Sequence, residues 1–140
     1  MENNHLIPIN NLSKLIHHDY TFIDLRDTSQ FNKLHITKFI NIPYDQFINN
    51  PPKLSKNKPI YLICYTGTKS LSLAKKLSSL GYQAYSFSGG FYAIEHPINN
   101  QFYWQIHYTK KKYPHHGYFL YNFIMVHYKT FQHTFQILLH

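Results

Sequence analysis

Cys64 is the only thiol in the chain, and the residues that follow it, Tyr65-Thr66-Gly67-Thr68-Lys69-Ser70, are of types that could make it reactive. A thiol attacks as its thiolate, and the thiolate is favoured beside cations and at the N-terminus of a helix. The stretch "PIYLICYTGTKSLSLAKKL", residues 59 to 77, offers both. An apolar run ends in the cysteine, a short turn carries Gly67 and Lys69, and a leucine-spaced helix begins. The first N–H groups of such a helix lack internal partners, and its dipole places about +0.5 charge beside the turn. Amides gathered in this way suit an anion, and Gly67 supplies the positive φ that a tight cradle requires. A free cysteine on a buried strand is commonly an inert small hydrophobe. Strand, thiol, glycine turn, cation and helix together point to a nucleophile.

The elements that must hold this group follow from the pattern on either side. "IYLICY" (60 to 65) is a near-continuous apolar run, as expected of a strand covered on both faces in a parallel sheet. In "SLSLAKKLSSLGY" (70 to 82), Leu73, Leu77 and Leu80 line one helical face, flanked by Leu71 and Ala74, with Lys75 and Lys76 outward. Gly81 stands where a left-handed cap belongs, and Tyr82 where the hydrophobic contact of a Schellman motif belongs. Upstream, "NNLSKLI" predicts a short helix, "YTFIDL" a strand, "TSQFNKL" a helical turn, "KFINIP" a short strand and "YDQFI" another helical turn. "NNPPKLSKNKP" is a proline-rich surface loop. Downstream, "QAYSF" predicts a strand, "SGG" a turn and "FYAIEH" a short helix. Alternating strands and helices predict an α/β fold: a small, mostly parallel sheet flanked by helices on both faces.

Composition narrows the partners. A chain of 140 residues suits one domain. One cysteine precludes an internal disulfide. The N-terminus lacks the pattern of a secretory signal, and no apolar run is long enough to span a bilayer, so a cytoplasmic location is expected. The net charge of +8 is carried by scattered lysines and a single arginine rather than a basic stripe, which argues against nucleic acid. Eleven histidines show no ligand spacing, so no metal and no cofactor are expected. Residues 1–100 form the domain. Residues 101–140 change abruptly, with twelve aromatics, six histidines and no Ala, Ser, Asp, Glu, Arg or Cys. Aromatics among lysines could rest on a partner or an anionic membrane. The preferred expectation is an atypical, disordered or non-native tail, as an altered reading frame in an AT-rich gene would produce.

Three stretches make the chain resemble a single-domain rhodanese, the thiosulfate sulfurtransferase homology domain. "FIDLRDTSQFNKLHITKFINIP" (22 to 43) looks like that family's strand ending in Asp-x-Arg, its short helix and its His-Ile…Asn-Ile-Pro segment. "IYLICYTGTKSLSLAKKLSSLGY" is similar to the active-site strand, the Cys-x-x-Gly-x-Arg-Ser loop and the following helix. "SFSGGFYAI" looks like the Gly-Gly helix start. The resemblance covers roughly residues 8 to 98. Lys69 stands where the family usually has Arg, keeping the charge but losing the bidentate fork. Leu34 replaces a glycine before His35.

The resemblance implies sulfane-sulfur transfer, with Cys64 as the catalytic residue taking sulfur from a donor such as thiosulfate as a persulfide. The acceptor would be a thiol, cyanide in an assay, or a protein. Tyr65, Thr66, Gly67, Thr68, Lys69 and Ser70 would bind the transferred sulfur or its donor. Asp24, Arg26 and His35 are read as structural support. A phosphatase would need Cys-x5-Arg to grip a phosphoryl group, and the Cys-x4-Lys here is one residue short and lacks the guanidinium. The non-enzymatic alternative is a rhodanese-like binding or regulatory module.

Overall fold

Every side chain of Ile60–Ile63 is buried, the requirement for a strand with helices above and below it. The computed structural model describes residues 4–96 and the backbone of one further strand at 106–108, all within the first of the chain's two units, Met1–Thr109. The strands are β1 (Leu6–Ile7), β2 (Thr21–Asp24), β3 (Leu34–Ile36), β4 (Ile40–Asn41), β5 (Ile60–Ile63), β6 (Ala84–Phe87) and β7 (Ile106–Tyr108). The helices are α1 (Leu12–Leu15), α2 (Thr28–Lys33), α3 (Tyr44–Asn49), α4 (Thr68–Ser79) and α5 (Gly90–Glu95), with a 3-10 turn at Ile9–Asn11.

Five strands form one sheet in the order β1-β6-β5-β2-β4, every pair parallel. The alternation of side chains along β5 splits the core in two. Ile60 and Leu62 face one layer with Ile23, Cys64, Phe47 of α3, and Leu73, Ala74 and Leu77 of α4. Tyr61 and Ile63 face the other with Phe22, Phe87, Leu12 of α1, and Phe91 and Ile94 of α5. Helices therefore cover both faces, as expected. A twelve-residue helix alone is marginal in water. Each large apolar side chain that α4 buries contributes about 1.5–3 kcal/mol, so packing on the sheet holds it.

The end of α4 is the cap anticipated from its sequence. Gly81 has φ 87°, its N–H donates to the Ser78 carbonyl at 3.0 Å, and the Tyr82 N–H reaches the Leu77 carbonyl at 3.1 Å. Leu80 departs from expectation. It is the residue after the last helical turn, where the chain swings off the sheet, and it is 57% exposed. Three described strands, β1, β3 and β7, were not anticipated. β1 has two residues, and β3 pairs antiparallel with β7 in a separate small sheet. The tail expected over 101–140 lies outside the described residues, apart from the backbone of β7.

Tyr61 sits in a cluster of rings, with centroids 5.4 Å from Phe22, 5.5 Å from Tyr20, 5.4 Å from Tyr85 and 5.7 Å from Phe87. Burial pushes its phenol above the ordinary value of 10.0, and the neighbouring Tyr20 and Tyr85 add to the shift. The folded chain then holds this proton more tightly than the unfolded chain. That contribution to stability is complete below about pH 10 and is lost as pH rises through the folded value. Urea unfolding of wild type and Tyr61→Phe should give a free-energy difference that is flat through neutral pH. Above about pH 10 the difference should move against wild type; a difference that stays constant to pH 11 contradicts the assignment.

Candidate active site

Two carbonyls leave the end of β5 and are taken by a different helix. The N–H of Phe91 donates to the Cys64 carbonyl at 2.8 Å, and the N–H of Tyr92 to the Tyr65 carbonyl at 2.9 Å. A planar trans peptide sets its N–H opposite its C=O, so the amides of Tyr65 and Thr66 turn to the side away from α5. The chain then bends at Gly67, with φ 91°, and enters α4. A side chain at Gly67 would be strained there, and its Cβ would lie 3.3 Å from the Gly90 nitrogen and the Phe87 carbonyl oxygen.

This path brings donors to the sulfur. Cys64 Sγ accepts from the Gly67 N–H at 3.2 Å, from the Ser70 N–H at 3.4 Å and from the Ser70 hydroxyl at 3.3 Å. Two of the three are main-chain groups, fixed by the turn and the first turn of α4. All three are hydrogen-bond donors directed at the sulfur. Cys64 is only 4% exposed, and its neighbours on the sheet side are apolar. The sulfur is thus buried, but the wall facing the loop is made of hydrogen-bond donors.

Of the six residues expected to bind sulfur or its donor, Gly67 and Ser70 contact Sγ. Tyr65, Thr66, Thr68 and Lys69 are exposed on the rim of the loop. Thr66 and Thr68 hydroxyls lie 3.2 Å apart. With Gly67, Ser72, Lys75 and Leu6 they line an open groove of about 460 Å³. Lys69 Nζ sits 5.1 Å from the centre of the Tyr44 ring, within cation–π range. The Tyr65 ring meets Tyr92 edge-on at 5.9 Å. Its phenol is pushed up, first by the loss of solvation where the exposed ring packs and then by the charge and hydrogen bond of Glu95.

Asp24, Arg26 and His35 lie behind the loop. The Asp24 carboxylate takes the Arg26 guanidinium through Nε at 3.0 Å and Nη2 at 2.7 Å, and also the Arg26 N–H at 2.9 Å. The same Nη2 donates to the Leu34 carbonyl at 2.7 Å, and Cζ stands 3.3 Å from the centre of the Phe91 ring. Both charged residues are buried. A buried ion pair adds little net stability, since desolvation offsets its attraction. Its effect is positional, because it ties the end of β2 to β3 and to the helix that holds the Cys64 carbonyl. His35 stacks on Phe31 at 4.2 Å, and its Nδ1 lies 2.9 Å from the Phe31 carbonyl oxygen.

Two supporting residues were missed by the sequence reading. Gly90 has φ 59°, and a Cβ there would lie 2.5 Å from both the Cys64 and Tyr65 carbonyl oxygens and 2.6 Å from the Gly67 nitrogen. The doubled glycine was a visible signal, read as a turn and as a helix start but not as a point of close approach to the loop. Ser86, fully buried on β6, places its hydroxyl 2.8 Å from that of Ser70; a serine between Tyr85 and Phe87 in an apolar strand was its signal. Among the described residues there is no group of three or more His, Cys, Asp or Glu that could hold a metal. No described helix is long and apolar enough to cross a membrane.

Comparison with known proteins places this arrangement. A profile of the rhodanese-like domain matches residues 9–96. The chain is 35% identical over 74 residues to the thiosulfate sulfurtransferase GlpE of Tolumonas auensis, covering 52% of this chain and 70% of that one. It is 29% identical over 85 residues to GlpE of Coxiella burnetii, covering 59% and 79% respectively. Among solved structures, a rhodanese-related protein from Thermoplasma volcanium superposes with a TM-score of 0.60 at 27% identity, over 68% of this chain and 95% of that one.

Because the three atoms facing Gly90 are backbone, no side chain can swing aside for a Cβ. Gly90→Ala should lose about 2 kcal/mol or more in urea unfolding. Alkylation of Cys64 by iodoacetamide in the folded variant should differ from wild type by about tenfold or more. Wild-type stability together with a wild-type alkylation rate would show that the loop does not depend on this close approach.

Proposed function

The chain belongs to the rhodanese-like domain family, and from that premise we propose that it is a sulfurtransferase carrying sulfane sulfur on Cys64. The observation that supports this most is the convergence of three donors on one buried sulfur. The thiolate of Cys64 attacks the outer sulfur of thiosulfate. The Cys64–S bond forms, the S–S bond of the donor breaks, and sulfite leaves with the bonding pair. A second thiolate then attacks the outer sulfur of the persulfide, and Cys64 leaves as thiolate. Cyanide takes the same sulfur in an assay, giving thiocyanate. Two half-reactions through one covalent intermediate give ping-pong kinetics.

The donors that face the sulfur as it attacks face it again as it leaves in the second step, so one cradle serves both half-reactions. Slight exposure favours a slim donor, and the GlpE relatives are named for thiosulfate. Lys69, on the rim, adds attraction for an anion at the mouth rather than contact with the sulfur. Residues 1–100 constitute the working domain in this reading, with the chemistry complete before the aromatic tail. The slight exposure of Cys64 and its apolar neighbours favour a second reading, a binding module with an inert thiol.

Intact-mass spectrometry separates the two. Folded wild type incubated with thiosulfate should gain one sulfur atom and lose it on addition of cyanide or a thiol, while Cys64→Ser should gain nothing. Folded wild type that stays at its original mass would sink the transferase reading. Lys69→Ala should raise KM for thiosulfate about tenfold, or about 1.4 kcal/mol, with a smaller effect on kcat. An unchanged KM would remove Lys69 from donor attraction.

A further inference from the structure

Two buried serines extend the hydrogen bonding of the sulfur into the sheet. Ser86 Oγ lies 2.8 Å from Ser70 Oγ, which in turn lies 3.3 Å from Cys64 Sγ and 3.1 Å from the Gly67 carbonyl oxygen. Both serines have no exposed surface. Each hydroxyl has one proton, and counting those protons orients the chain.

Among the described residues, the Ser86 hydroxyl has a single hydrogen-bond partner, Ser70 Oγ. Were Ser70 to donate to Ser86, the proton of Ser86 would be buried with no acceptor, an arrangement that folded proteins avoid. Ser86 is therefore the donor and Ser70 the acceptor. The proton of Ser70 is left with two acceptors, the Gly67 carbonyl and Cys64 Sγ. The Gly67 carbonyl already receives the Leu71 N–H at 3.0 Å. An anionic sulfur is the stronger acceptor, so the proton swings to Sγ when Cys64 is charged.

From this we infer that Ser86 is a positioning residue for sulfur transfer, holding the Ser70 hydroxyl as a donor to the Cys64 sulfur. It never touches the reacting atoms. By donating to Ser70 it removes one of the two orientations in which Ser70 would turn away from Cys64, leaving the Gly67 carbonyl as the competing acceptor. It also polarises that hydroxyl, since a group that accepts a hydrogen bond donates a stronger one. The inference deepens the sulfurtransferase reading and rests on it for the reaction, but the effect on Cys64 is readable without any sulfur donor.

The test uses Ser86→Ala, Ser70→Ala and the double variant in the full chain, with melting temperatures recorded for each. The pH profile of Cys64 alkylation by iodoacetamide should move several tenths of a unit to higher pH in Ser86→Ala. The kcat for thiosulfate:cyanide transfer should fall about threefold to tenfold with KM unchanged. The double variant should be no worse than Ser70→Ala, because Ser86 acts only through Ser70. Ser86→Thr, which keeps the hydroxyl, should recover most of the alkylation profile where its melting temperature shows it folded. An unmoved profile in Ser86→Ala, or single-variant losses that multiply in the double, overturns the inference. Wild type that forms no persulfide fails the transferase reading instead, and the alkylation profiles still decide the role of Ser86.

Discussion

The path of the loop that carries Cys64 is held by two hydrogen bonds that do not touch the sulfur. Phe91 and Tyr92 at the start of α5 take the carbonyls of Cys64 and Tyr65. With those oxygens engaged, the peptide planes after Cys64 cannot flip, and the loop must present N–H groups on its other side. Gly90 makes the clamp possible, because only a residue without Cβ lets α5 approach the loop so closely. Arg26 keeps the clamp in place from behind, through the face of Phe91 and the Leu34 carbonyl. The path of the loop past Cys64 is thus set by backbone oxygens held elsewhere, and the donors to the sulfur follow at Gly67 and Ser70.

The same arrangement divides the loop into two kinds of residue. Gly67 and Ser70 face inward and donate to the sulfur. Tyr65, Thr66, Thr68 and Lys69 face outward and can act only on what approaches. Lysine at position 69 fits the second role. A guanidinium would add a directional fork, whereas the ammonium, set against Tyr44, provides charge without fixed geometry.

Much of this was legible in the sequence, for identifiable reasons. The strand before Cys64 showed as an unbroken apolar run, α4 as a leucine pattern, and its end as Gly81 followed by Tyr82, all local signals. The inward face of the loop was only partly legible. Six residues were expected to bind, because a helix N-terminus offers several amides, and spacing does not say which ones aim at the thiol. Gly90 and Ser86 act on residues about twenty positions away, so no local period marks them. β1 escaped because two residues are too few to alternate, and β3 because its pairing depends on a segment some seventy residues downstream. Leu80 fitted the helical stripe, yet the cap rotates it into solvent.

The position of β5 has a further consequence. It is the third of five strands, hydrogen-bonded on both sides by β2 and β6. Central strands take no part in the fraying that opens sheet edges and helix ends, and their amides exchange with solvent only when most of the domain comes apart. Cys64, the proposed nucleophile, follows directly on that strand. Partial opening of β1 or β4 at the margins leaves the β5 end of the site undisturbed.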